Sequence, residues 1–373
     1  MSNPNRYSTN DPQLDGDLQQ LIQRAGGGAN SDLIFQMMVT ALKLAKDGTD
    51  RGDLKIMNST LKEMRWTWKV YSPYRRQRKV SVFGSARTAE DVPDYLQAVE
   101  FSKIMAEAGF MTITGGGNGI MKAGNQGAGR KMSFAANIRL PFEQASNSEI
   151  AGDEKVIYFK YFFTRKLAFI KESHAVVCFP GGFGTHDEGF EALTLVQTGK
   201  SHLIPIVFVH PPGSKFWEEW DNYVHEHLLS KKLIGPDDLS LYLVTDDVNK
   251  AADEILNFYR HYHSSRYVGD DLVMRLSCPL KEAEIEELNH DFLDLLDSGR
   301  IEAVTALPQE ANDPDLVGLP RLKFRFNRRK VGRLRQLVNR INSYPIREAD
   351  IGYSHFGAEA GQGGTIPEEA VQD

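Results

Sequence analysis

Between Lys79 and about Arg266, short apolar runs alternate with longer amphipathic stretches, a pattern that few architectures accept. A strand buried on both faces reads as a continuous apolar run, while a helix covering a sheet shows an apolar stripe at its own period. The alternation therefore predicts an α/β fold, a Rossmann-like parallel sheet flanked by helices, over residues 76–265. The expected strands are Val80–Phe83, Met111–Thr114, Ser133–Ile138, Val156–Tyr158, Ala175–Phe179, Ile204–Val209 and Leu241–Val244. Helices are expected at Asp94–Ala108, Ile120–Gly129, Thr164–Glu172, Glu188–Thr198, Lys215–His227 and Val248–His261.

The flanks differ in character. Residues 1–30 are rich in Asn, Asp, Gln, Ser and Gly and read as a flexible arm. Residues 31–75 carry two helical stripes, Leu33 to Ala45 and Leu54 to Val70, with Asn30 or Ser31 as a cap, and read as a helical extension. Residues 266–346 read as a small appended α+β module, with a strand near Asp271–Leu276 and a helix over Lys281–Asp297. Residues 347–373 read as a disordered tail. Arg321 to Arg340 holds nine Lys/Arg and no acid, interleaved with apolar residues, and reads as a strand and helix with a solvated basic face.

Composition narrows the function. The two cysteines in 373 residues, Cys178 and Cys278, exclude a disulfide framework and a Cys-based zinc cluster, and a cytoplasmic setting is expected. No run of 18 apolar residues exists, so no membrane span is expected. With 44 Lys+Arg against 50 Asp+Glu, the net charge of −6 gives no global field to gather nucleic acid, and small molecules are the expected partners.

Two glycine loops carry the chemistry. Gly115-Gly116-Gly117-Asn118-Gly119 follows one predicted strand and opens a helix, and Pro180-Gly181-Gly182-Phe183-Gly184-Thr185 does the same after another. Glycine lets successive N–H groups turn inward on an anion beside a positive helix terminus, so a phosphate is the expected guest. The dinucleotide fingerprint fails, because Ile120 or Lys122 stands where its third glycine belongs. Strand carboxyl ends in an open sheet face one side, so both loops can meet over one crevice. Thr185 falls at a helix cap, where its hydroxyl serves either the backbone or a phosphate. Glu188 three residues later suits a capping box as well as catalysis. Arg165 and Lys166 precede the second loop; Lys166 reads by default as a solvated cation, and Arg165 as a clamp for phosphate, ribose or a carboxylate.

These residues, with Val82-Phe83-Gly84-Ser85-Ala86-Arg87, Leu140-Pro141-Phe142-Glu143-Gln144 and the string Pro180-Gly-Gly-Phe-Gly-Thr-His-Asp-Glu188, resemble the LOG family, in its larger bacterial branch, over roughly half the chain. The resemblance implies a nucleoside 5′-monophosphate phosphoribohydrolase that releases free base and ribose 5-phosphate from AMP-like or cytokinin-riboside substrates, without metal or cofactor. It implies Arg165 and Glu188 as the catalytic pair. The two glycine loops, with Thr185 and Lys166, become the substrate cradle, and the assembly a homodimer or larger. Arg165 is expected to keep Glu188 ionised. His186 stands where relatives often carry Leu, one turn from the acid.

Other motifs do not compete. Thr198-Gly199-Lys200-Ser201 lacks the upstream glycine of a P-loop, and His225-Glu226-His227 and His261-Tyr262-His263 are spaced too tightly for one helix face. No lysine stands out as a pyridoxal phosphate anchor, which leaves a decarboxylase without support. The alternative of a different class is a nucleotide carrier or sensor that uses the same loops without hydrolysis.

Overall fold

The computed structural model describes residues 7–139, 146–311 and 313–346. The stretch 140–145, which contributed to the family resemblance, and the expected tail 347–373 lie outside the described residues. The chain divides into two compact units between Arg65 and Trp66.

The amino-terminal unit is helical: α1 (Pro12–Arg24), α2 (Ser31–Lys46) and α3 (Arg51–Tyr71), the last running on into the second unit. The expected flexible arm is thus corrected over much of its length. The Asp11 carboxylate accepts from the Gln13 and Leu14 amides, and Pro12 takes the first helical position. Leu18 and Ile22 then supply a buried edge. A cap, a proline and two apolar residues outweigh the polar composition. Asn30 occupies the cap position of α2, but its side chain makes no cap hydrogen bond.

The second unit opens with seven parallel strands: β1 (Lys79–Phe83), β2 (Met111–Thr114), β3 (Ser133–Ile138), β4 (Val156–Phe159), β5 (Ala175–Cys178), β6 (Ile206–Val209) and β7 (Tyr242–Thr245). Their order is β4-β3-β2-β1-β5-β6-β7. This is the Rossmann-like parallel sheet expected from the apolar runs. The chain winds outward from β1 to one edge, crosses back, and winds from β5 to the other. The connections after β1 and β5 therefore leave opposite faces and open a crevice at their carboxyl ends. Helices α4 (Pro93–Glu107), α5 (Ile120–Ala128), α6 (Phe162–Glu172), α7 (Phe183–Gln197), α8 (Phe216–Tyr223) and α9 (Val248–Phe258) flank the sheet. The helix expected over Lys215–His227 continues from α8 as a π-helical segment, Val224–Leu229.

Beyond α9 a second, antiparallel sheet has the order β10-β11-β9-β8, built from β8 (Tyr262–Val268), β9 (Asp271–Leu276), β10 (Leu296–Val304) and β11 (Arg321–Phe326), with α10 (Glu282–Asp291) and α11 (Val331–Ser343). Helix α11 ties this module to the parallel sheet. Asn342 Oδ1 accepts from the His261 and Tyr262 amides at 2.8 and 3.0 Å, and the Asn342 amide donates to Phe258 O at 2.7 Å. The basic stretch forms β11 and α11, with one correction: Arg321 and Arg335 are buried rather than solvated. Arg321 Nε donates to Glu310 Oε2 at 2.8 Å, and Arg335 pairs with Glu254. Module carboxylates hold several other cations of the stretch, Asp294 taking both Lys330 and Arg333. No described helix is long and apolar enough to cross a membrane.

Candidate active site

The loops after β1, β2 and β5 are knitted together by main-chain hydrogen bonds. Ser85, just beyond β1, donates its amide to Pro180 O at 3.1 Å, and its carbonyl accepts from the Ile120 amide at 3.0 Å. Such close approach requires glycine at two points. Gly119 has φ +60°, and a Cβ there would lie 2.2 Å from Ser85 O; one at Gly181 would lie 2.1 Å from Thr185 Oγ1. Above these loops lies a cleft of about 600 Å³.

Of the residues singled out from sequence, Gly115, Arg165, Gly182, Gly184, Thr185 and Glu188 line this cleft. Gly116, Gly117, Gly119 and Gly181 do not; they shape it from behind. Gly116 has φ +72° and backs onto Ala135, while the Gly117 carbonyl accepts from Asn147 Nδ2 at 2.9 Å. Lys166 is not among the lining residues either. Its ammonium is held on α7 by Asp187 at 2.8 Å and Glu191 at 2.6 Å, from where its charge acts on the Glu188 carboxyl. His186 turns aside too: its Nδ1 lies 3.0 Å from Gly182 O, and its ring packs against Phe216 and Trp217. The sequence reading passed over Ser85, Ala86 and Arg87 as site residues, together with the apolar lining of Phe83, Met121 and Phe169. The Val82–Arg87 string already held the signal, a glycine directly after the first apolar strand.

Helix α7 starts at Phe183 with Gly182 as its cap residue, five residues earlier than expected. Thr185 is consequently the third helical residue and buried, not the cap. Glu188 lies in the second turn, which removes the capping-box explanation for a carboxylate at this position. Its side chain is 5% exposed, and Oε1 stands 3.6 Å from Arg165 Nη2. Arg165 projects from α6 between the rings of Phe162 and Phe169, its i−3 and i+4 neighbours. Glu188 Oε2 and Arg165 Nε are both buried without a hydrogen-bond partner. Beside an open cleft, such orphaned buried atoms are what a bound ligand satisfies.

Burial dominates the electrostatics of Glu188. It pushes the carboxyl from its ordinary 4.5 up to about 7, against the opposing pull of Lys166 and Arg165. The expectation that Arg165 keeps this acid ionised is therefore corrected: the guanidinium acts in that direction, but desolvation outweighs it. The group is poised to exchange a proton near neutrality.

Residues 118–255 match the family described as "Possible lysine decarboxylase". A probable cytokinin riboside 5′-monophosphate phosphoribohydrolase, LOGL5 of Oryza sativa subsp. japonica, is 28% identical over 162 residues. Part of the parallel-sheet domain is thus similar to that family and to a rice LOG protein. The match to the rice LOG protein covers 42% of this chain and 64% of that relative. Among solved structures, the molybdenum cofactor binding protein of Rippkaea orientalis is 19% identical, with a TM-score of 0.33 over 48% of this chain and 94% of its own. The molybdenum cofactor carrier protein of Chlamydomonas reinhardtii is 22% identical, with a TM-score of 0.32 over 48% of this chain and 99% of its own. Both the module after α9 and helices α1 to α3 lie outside residues 118–255.

Proposed function

We propose that the crevice hydrolyses the N-glycosidic bond of nucleoside 5′-monophosphates, giving free base and ribose 5-phosphate. The observation that carries this reading is the buried Arg165–Glu188 pair, whose unpartnered Glu188 Oε2 lies in a cleft bordered by glycine-rich helix entries. The amides around Gly182 and Gly184 open α7 and suit the 5′-phosphate. That anchor positions C1′, and its binding energy is available to orient the reacting bond. Cleavage builds positive charge on the ribose. An ionised Glu188 beneath the ring stabilises that charge and takes a proton from the attacking water, while Arg165 holds the carboxylate and a ribose hydroxyl. The likeness to the rice phosphoribohydrolase agrees with this chemistry. Phe162, Phe163 and Leu167 leave an apolar strip exposed on α6 beside the crevice, which supports a homodimer or larger assembly.

A panel of purine and pyrimidine monophosphates, followed by chromatography of base and sugar phosphate, tests the proposal. The wild type is expected to turn over at least one of them and to leave unphosphorylated nucleosides nearly untouched. Glu188→Gln is expected to lower kcat by roughly 10²- to 10⁴-fold while retaining nucleotide affinity. Tight nucleotide binding by a wild type that turns over none of the panel leaves a carrier or sensor instead.

A further inference from the structure

A larger groove, of about 1090 Å³, opens at the other end of the same strands. Lys79 begins β1 there, His174 immediately precedes β5, and Leu203 and Ile204 lead into β6, while β8 of the appended module forms the facing wall. The five residues of β1 put this groove roughly 16 Å from the crevice. No part of the proposed reaction uses it.

Seven Lys/Arg side chains line the groove against three carboxylates, an excess of four positive charges. The three carboxylates are already engaged. Asp315 pairs with Arg76, Asp313 with Arg266 and Arg275, and Glu172 with Lys171. Arg78 is half-buried with its guanidinium 4.0 Å from the centroid of the Tyr259 ring, and neither it nor Arg75 forms an ion pair with a described residue. Stacking leaves the edge of a guanidinium, with its N–H donors, available to an anion. A desolvated cation with no anionic partner is costly to maintain, and it is offset when a ligand supplies the charge. His174 and His263 line the same groove. Burial and the neighbouring cations hold both imidazoles neutral, each lowered to about 3. Both are placed to become additional donors once negative charge enters.

We propose that this groove is an anion site separate from the crevice, taking a small ligand that carries at least two phosphate groups. A monophosphate brings about two negative charges, which leaves half of the excess uncompensated; two phosphate groups bring about three to four and cover most of it. The site is independent of how the crevice is read, because it shares none of its lining residues.

Titration calorimetry of the full chain with inorganic pyrophosphate is expected to show one saturable site per chain. Arg75→Gln combined with Arg78→Gln is expected to weaken it about tenfold or more, and Glu188→Gln to leave it unchanged. The imidazole ¹⁵N resonances of His174 and His263 are expected to move as pyrophosphate is added. Absence of saturation by about 1 mM overturns the proposal. So does competition by a nucleoside monophosphate that Glu188→Gln relieves, which would put the ligand in the crevice. Equal affinity for orthophosphate rules out the two-phosphate requirement. If the double variant does not fold, Arg75→Gln and the two histidine signals decide, and unmoved signals in the wild type count against the site.

Discussion

At Glu188, burial and charge act in opposite directions, and the outcome sets two pH dependences of opposite sign. The folded protein holds the Glu188 proton up to a pH of about 7, whereas the unfolded chain releases it near 4.5. Between those values the folded state binds more protons, so this group's contribution to stability falls as pH rises through the window. Melting temperatures measured across it should decline less steeply for Glu188→Gln than for the wild type. The proposed chemistry needs the ionised form, so kcat/KM should climb through a pH of about 7. A stability curve for Glu188→Gln that parallels the wild type would show that the carboxyl titrates as an ordinary surface acid.

At the level of elements, the crevice depends on where helices begin and on which loops touch. Gly119→Ala places a methyl group against Ser85 O in a left-handed backbone and should cost about 1–3 kcal/mol. Gly184→Ala meets nothing within 4 Å, so its melting temperature should stay near the wild-type value while KM for a monophosphate rises, because the methyl enters the cleft. Thermal scans alongside steady-state kinetics separate the two glycines. All seven parallel strands were legible in the sequence, because a run buried on both faces needs no partner information to be recognised. The start of α7 was not. Gly181-Gly182-Phe183-Gly184 has the composition of a loop, and the bond from the Ser85 amide to Pro180 O, which fixes the chain just ahead of it, joins residues far apart in sequence. Strand β8 was hidden too, since Tyr262–Val268 follows α9 with no glycine or proline between them. Phe292 and Leu295, expected inside a helix over Lys281–Asp297, fall beyond the end of α10 and close the turn into β10. Helical spacing cannot show where such a run stops. Within the candidate site, Arg165 and Glu188 were readable as residue types at a spacing, whereas the withdrawal of Lys166 onto α7 depends on Asp187 and Glu191 sharing its side of the fold.

Across the whole molecule, the appended module is fastened by ionic contacts as well as by apolar packing. Glu310 is fully buried; its Oε1 accepts from Arg275 Nη2 at 2.6 Å and its Oε2 from Arg321 Nε at 2.8 Å. Removing that carboxylate leaves the buried Arg321 with no carboxylate partner and Arg275 with Asp313 alone. Glu310→Ala should therefore destabilise the module by about 3–5 kcal/mol, measured by denaturant unfolding. Glu310→Gln should recover part of the loss through its remaining acceptor oxygen.

The reversal of winding between β4 and β5 has a consequence for synthesis on the ribosome. Strand β5 pairs beside β1 across a separation of about 95 residues, as the contact between the Lys79 amide and His174 records. Ser85 emerges on the nascent polypeptide long before Arg165 and Glu188, and its amide waits for Pro180 O until the second half of the winding arrives. Closure of so distant a contact is slow, so the apolar edge of β1 stays open to wrong partners during translation. The crevice accordingly comes into being in a single late event, because a chain that stops before α7 lacks both the second glycine loop and Glu188.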